Sequence, residues 1–174
     1  DECAGGCPKC YSPWQYLTQT EALVSVIRRL CLGTQRTLLK MWDVSRVTNM
    51  KRTFESTPYF NESLNEWDVS RVTDMSNMFS SALAFNQDLK SWDVSQVSDM
   101  GHMFKQARAF DQPLESWDVS RVTTMESMFL YASAFNQPLE SWDVSQVTTM
   151  ESMFLHASAF NQPLESWDVS RATT

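Results

Sequence analysis

Between Leu64 and Phe85 the apolar residues fall at Leu64, Trp67, Val69, Val72, Met75, Met78, Phe79, Ala82 and Phe85, with polar residues filling the gaps. The pattern returns every 25 residues, so Trp stands at 42, 67, 92, 117, 142 and 167 with no insertion or deletion between. Met50, Met75, Met100, Met125 and Met150 make a second column, and Phe54, Phe79, Phe104, Phe129 and Phe154 a third. Phe60, Phe85, Phe110, Phe135 and Phe160 make a fourth. One unit reads L-x-x-W-D-V-S-x-V-T-x-M-x-x-M-F-x-x-A-x-x-F-N-Q-x. A unit this short cannot bury its own apolar face, so units must stack.

The Trp-Asp dipeptide is shared with propeller blades, but a blade needs about 40 residues. A period of about 20 to 29 residues instead predicts a solenoid of the leucine-rich-repeat kind. In W-D-V-S the step of two predicts a short parallel strand at about Glu66 to Ser70, with Trp67 and Val69 inward and Asp68 and Ser70 outward. Met75, Met78 and Phe79 stand at helical spacing and predict one helical turn on the far, convex side. The expected fold is therefore an α/β repeat solenoid, a right-handed leucine-rich-repeat-like stack with one strand and one helical turn per rung. Residues 41–174 supply about five full repeats and a partial last rung, and residues 1–40 a cysteine-rich segment and a capping helix.

The signatures W-D-V-S-x-V-T-x-M-x-x-M-F and F-N-Q resemble those of the BspA-like leucine-rich-repeat surface proteins. The resemblance covers about Met41 to Thr174 and extends more weakly to the preceding helix. It implies a repeat scaffold on cell surfaces or in exported compartments, with binding roles and no common catalytic site.

The capping helix is read from TQTEALVSVIRRLCLG. Thr18 and Glu21 stand in capping-box register, Gly33 is a C-terminal stop, and Leu23, Val26, Ile27 and Leu30 share one face. Ahead of it, Cys3, Cys7 and Cys10, with Cys31, admit two readings: two disulfides in an oxidising compartment, which is preferred, or four thiolates around zinc. The first residue is Asp1 rather than Met, which suggests processing or truncation of a targeting segment. The expected location is extracellular, cell-surface or within an organelle lumen. At the other end WDVSRATT stops after the predicted strand without a polar cap, so either the chain continues or a partner covers the open edge.

A formal charge of -7 argues against a phosphate-backbone surface, because nucleic-acid binding rests on Lys and Arg neutralising phosphates. No run of about 20 apolar residues is present to span a bilayer. Catalysis needs a poised nucleophile, base or metal, and the repeats offer only His102 and His156, in different columns and with no cysteine beside either. No enzyme and no cofactor is expected.

Outward columns carry the remaining candidates. Asp43, Asp68, Asp93, Asp118, Asp143 and Asp168 are expected to form a ladder on the concave face. It suits calcium or a basic partner on one reading, and local hydrogen bonds to Ser and Thr with charge relief from Arg46, Arg71, Arg121 and Arg171 on the preferred one. Asn61, Asn86, Asn136 and Asn161, with Asp111 in the same column, read as a structural corner ladder. The methionines read as core. On the convex side the two positions after the third-column Phe change from Ser80 and Ser81, through Lys105 and Gln106, to Leu130 and Tyr131, then Leu155 and His156. An apolar patch of this kind reads either as an interface or as a tucked turn that buries the leucines, and the interface reading is carried forward. Partner contact is therefore expected at Leu130, Tyr131, Leu155 and His156, continuing to Trp167 and Ser170 on the last rung. The expected function is a non-catalytic protein-binding or scaffold module. The alternative is an accessory subunit docked into a larger, possibly membrane-bound, complex.

Overall fold

In a chain with one indole per 25 residues, each buried indole N–H needs an acceptor, and stacking supplies it from the neighbouring unit. The computed structural model describes Leu39 and residues 42–173. Counted from the leucine column, rungs 1 to 5 begin at Leu39, Leu64, Leu89, Leu114 and Leu139, and a partial sixth begins at Leu164. Trp67 Nε1 donates to Leu39 O at 2.9 Å, and the same bond recurs from Trp92 to Leu64, Trp117 to Leu89, Trp142 to Leu114 and Trp167 to Leu139. Each tryptophan is thereby fastened to the rung before its own.

The interior is one continuous apolar column built from the repeat positions. Phe54, Phe79, Phe104, Phe129 and Phe154 stack at centroid distances of 5.4 to 5.7 Å. The second Phe column stacks beside them, with 4.0 Å between Phe79 and Phe85 inside one rung. These near-parallel pairs lie in or near the range where aromatic contacts add about 0.5–1.5 kcal/mol beyond area burial. Met75, Met78, Met100, Met103, Met125 and Met128 are fully buried among them, which fits the core reading of the methionines.

The backbone departs from the expected fold class. Among the described residues there is no α-helix, and strand pairing is limited to isolated parallel bridges at Asn49↔Asp74, Asp74↔Asp99, Asp99↔Thr124 and Thr124↔Thr149. The α/β arrangement of one strand and one helical turn per rung is therefore wrong. In its place each rung is a chain of tight turns. In rung 2, i→i+3 bonds close from Leu64 O to Trp67 N, Val69 O to Val72 N, Met75 O to Met78 N, Asn77 O to Ser80 N, Phe79 O to Ala82 N and Ala82 O to Phe85 N.

The predicted strand at Glu66 to Ser70 fails because its backbone donors are spent locally. Trp67 N–H goes to Leu64 O, and Ser70 N–H goes to Asp68 Oδ1 at 3.1 Å, so neither is free to cross to another rung. The inward and outward alternation survives without the strand, with Trp67 and Val69 buried and Asp68 exposed.

The predicted helical turn fails for a related reason. From Met75 to Ser81 alternate N–H groups leave the rung: Met75, Asn77, Phe79 and Ser81 donate to Asp99, Gly101, Met103 and Lys105 carbonyls of rung 3 at 2.7 to 2.9 Å. A helix would turn all of them inward to i−4. Alternation of local and crossing bonds requires left-handed residues, and φ is 58° at Asn77 and 60° at Ser81. The same two columns hold Arg52, Ser56, His102, Gln106, Ser127, Tyr131, Ser152 and His156, all at positive φ without being glycine. Spacing of three and four is common to a helical face and to this run of turns.

The cysteines and the predicted capping helix lie outside the described residues, so neither the disulfide nor the zinc reading meets the structure.

Two stability measurements follow from this construction. Trp92→Phe keeps a ring but removes the indole donor, and is expected to lower unfolding free energy by about 1–3 kcal/mol in a denaturant titration. Trp92→Ala removes the ring as well and is expected to lower it by about 3–5 kcal/mol. An unchanged Trp92→Ala midpoint contradicts the core role of the column. Ser56, exposed and at φ 57°, tests the left-handed positions. Relieving its Cβ strain outweighs the extra chain entropy of glycine, so Ser56→Gly is expected to gain up to about 1 kcal/mol. Ser56→Val is expected to lose more than about 1 kcal/mol, and melting curves of the pair read the difference.

Candidate functional site

The aspartate ladder has its acceptors committed. Ser45, Ser70, Ser95, Ser120, Ser145 and Ser170 donate their N–H groups to Oδ1 of Asp43, Asp68, Asp93, Asp118, Asp143 and Asp168 at 3.0 to 3.1 Å. The hydroxyls of Ser45, Ser70 and Ser120 add bonds of 2.6 to 2.7 Å to the same oxygens. Those hydroxyl bonds, and next the backbone bonds, hold the carboxyls of Asp43, Asp68 and Asp118 below their ordinary range, with a smaller contribution from Arg46, Arg71 and Arg121. The ladder is a column of turn caps, as the local reading expected. Among the described residues no three His, Cys, Asp or Glu side chains gather in a way that suits a metal ion.

Arginines in the next column reach along the stack rather than to the aspartates. Arg121 Nη1 donates to Gln96 Oε1 at 2.7 Å, and Arg171 repeats the contact with Gln146. Interleaving Gln with Arg keeps like charges two rungs apart from rung 2 to the end of the stack.

The Asn corner ladder is also structural. Oδ1 of Asn61 accepts Asn86 N–H at 2.8 Å and Gln87 Nε2 at 3.0 Å, and Asn86, Asp111 and Asn136 repeat this toward the next rung. One side-chain oxygen per rung thus satisfies a backbone donor and a glutamine of the following one.

A second cap column escaped the sequence reading. Asn49 Oδ1, Asp74 Oδ1 and Asp99 Oδ1 accept the N–H of Lys51, Ser76 and Gly101 at 2.8 to 2.9 Å, beside the parallel bridges. Its signal was available as N/D two residues before a turn, the spacing already visible in D-V-S.

The predicted contact residues separate into two groups. Tyr131 is 42 % and Leu155 50 % exposed, His156 is exposed, and Leu130 is half-buried. Tyr131 and His156 stack face to face at 4.5 Å and 13°. The Tyr131 backbone is tied to the following rung by its N–H donating to Leu155 O at 2.9 Å. Trp167 stands apart from this group: it is partly buried, stacks on Trp142 at 6.4 Å and donates to Leu139 O, while the exposed Ser170 donates its N–H to Asp168 Oδ1. His102 and His156 stand apart, His102 against Glu126 at 3.7 Å and His156 against Tyr131.

A stack of like turn-built units with most of its variety at outward positions defines a repeat protein. The chain belongs to the family described as Mycoplasma protein of unknown function, DUF285, whose model matches residues 28–129 and 93–174. No curated protein and no solved structure matches it. Among the described residues no helix is long and apolar enough to cross a membrane.

The cap column carries a pH dependence. Folding lowers these carboxyls, so their contribution is complete above the ordinary aspartate value of 3.8 and is lost as pH falls through the folded value. The melting temperature is therefore expected to hold until about pH 4 and to fall progressively below it. Asp68→Asn with Asp118→Asn keeps the accepting oxygens but not the charge, and is expected to flatten that slope. A double variant with the parent's slope would place the acid sensitivity elsewhere.

Proposed function

We propose that this chain is a non-catalytic protein-binding module whose contact surface centres on Tyr131, Leu155 and His156, with Leu130 at its half-buried edge. The observation that carries the reading is a change within one column. Glu55, Ser80 and Lys105 are followed by Leu130 and Leu155, and Ser56, Ser81 and Gln106 by Tyr131 and His156. From rung 2 to rung 5 the core positions are alike, so packing gives no reason for the change from Ser80 and Lys105 to Leu130 and Leu155. Exposed Tyr and Leu side chains beside a polar surround have the composition of an interface centre. A Tyr ring already stacked on His156, on a backbone bonded across rungs, loses little freedom when a partner docks.

Likeness to the BspA-like surface proteins supports placing the module on a cell surface or in an exported or lumenal compartment. The acidic net charge of -7 supports a partner other than nucleic acid.

Tyr131→Ser with Leu155→Ser is expected to reduce capture of a protein partner from native-source extract at least about tenfold, with the melting temperature within about 2 °C of the parent. Ser81→Ala serves as the matched control on the same column. Undiminished capture by the double variant, or a loss of several degrees in melting temperature, overturns the assignment.

A further inference from the structure

Toward the start of the stack, the same run of turns that bears the apolar patch carries a shallow polar groove of about 350 Å³. Its walls come from four successive rungs: Lys51 and Arg52, then Asn77, then His102 and Lys105, then Glu126. The groove exists because the column of Lys51, Ser76, Gly101, Glu126 and Glu151 narrows to a glycine at rung 3. A Cβ at Gly101 would stand 3.1 Å from Asp99 Oδ1 and 3.4 Å from Thr124 Cγ2, so any other residue would encroach on the floor.

Its charge is opposite to that of the molecule. The chain as a whole has 21 acidic and 14 basic residues, whereas the groove is lined by Lys51, Arg52 and Lys105 against Asp99 and Glu126, with Glu55 beside Arg52 outside the lining. Asp99 has already committed Oδ1 to Gly101 N–H at 2.8 Å. Lys51 and Lys105 make no ion pair among the described residues, and Arg52 has only a 3.8 Å approach to Glu55. His102 Nδ1 is shut away from solvent with no hydrogen-bond partner among the described residues. A buried imidazole nitrogen left idle is uncommon in a structural role.

We propose that this groove binds a doubly charged tetrahedral oxyanion, a sulfate or phosphate ester carried on a larger molecule. Two ammonium groups and a guanidinium raised on a rigid stack supply charge-assisted donors from several directions, which suits an anion with oxygens on all sides. Asn77 adds a neutral amide to the same wall. Glu126 opposes the anion, which keeps binding modest and makes the site testable by gain as well as by loss.

The test is an NMR titration of the parent chain with sulfate and, separately, inorganic phosphate at constant ionic strength, following the amides of Gly101 and His102. Saturable shifts are expected with both ions. Lys51→Ser with Lys105→Ser is expected to weaken binding at least about fivefold, and Glu126→Gln to tighten it about threefold, since the first removes attraction to the anion and the second removes repulsion. A gain in Glu126→Gln cannot come from misfolding. A sulfated disaccharide and a phosphoserine peptide then distinguish the two sources, the true class binding more tightly than its bare ion. Linear, unsaturable shifts overturn the proposal, as does equal binding by the lysine variant or failure of both esters to exceed the bare ions. The Tyr131 and Leu155 variant is expected to bind the ions as the parent does, which separates this site from the protein-binding surface.

Discussion

The hydrogen bond from Nε1 of Trp67 and each later column tryptophan to the leucine carbonyl 28 residues earlier fixes the stack. Leu64 O receives Trp67 N–H from its own rung at 3.0 Å and Trp92 Nε1 from the next at 3.1 Å. Both lone pairs of a buried carbonyl are thus used, one to close a turn and one to set the register of the following rung. An added residue between Leu and Trp would open the turn or move the indole, and either leaves a buried polar group without a partner. A strict period is the consequence. The phenylalanine columns inherit that register, since rings 5.4 to 6.0 Å apart stay in contact only if every rung repeats the same path.

Register alone would allow strands, and the turns explain why strands do not form. Asp in W-D-V-S takes the serine N–H, the leucine carbonyl takes the tryptophan N–H, and little of that segment is left to pair. Pairing moves to the next stretch, where alternate donors cross between rungs and the rest close i→i+3 turns. This requires positive φ at two places per rung. Ten non-glycine residues sit there, each at roughly 1–2 kcal/mol above a right-handed conformation. Crossing hydrogen bonds and the buried Phe and Met columns offset that strain. Where glycine does occur, at Gly101, it serves close approach in the cap column rather than a positive φ.

The sequence made the core plain and the backbone obscure, for one physical reason. Side-chain columns depend only on the period, and the period is printed in the chain, so the buried status of Trp92, Phe104 and Met100 follows directly. Secondary structure depends on where each N–H goes, and that is ambiguous. A step of two belongs equally to a strand and to an Asp-capped turn, and steps of three and four belong equally to a helix and to a run of left-handed turns. The Asp43 to Asp168 column was legible because its Ser partner lies two residues away. The groove at His102 was not, because it joins Lys51 to Glu126 across 75 positions and depends on a missing Cβ at Gly101. The packing of Trp167 on Trp142 and Phe154 of the previous rung follows from the period as it does for the earlier tryptophans.

A scaffold of this kind separates what it must keep from what it can vary. Replacing an inward residue disturbs two stacks and a staple, while replacing an outward one on the same turn disturbs neither, so chemical variety collects outside. The left-handed columns are suited to carry it, because through rung 4 their backbone is bonded on to the following rung and most of their side chains, Ser127 excepted, reach the surface. Along those columns the chain passes from Arg52 and His102 to Tyr131 and His156, from a basic groove to an aromatic patch, without altering the core beneath. Rungs 4 and 5 differ across their length only where Arg121 gives way to Gln146 and Tyr131 to His156. Duplicating a rung therefore also duplicates its outward surface, and one stacked aromatic pair results from repeating a single exposed position. Growth by whole rungs is how such a chain can enlarge a contact surface without a new fold: register makes any two copies compatible, and the outward columns decide what they touch.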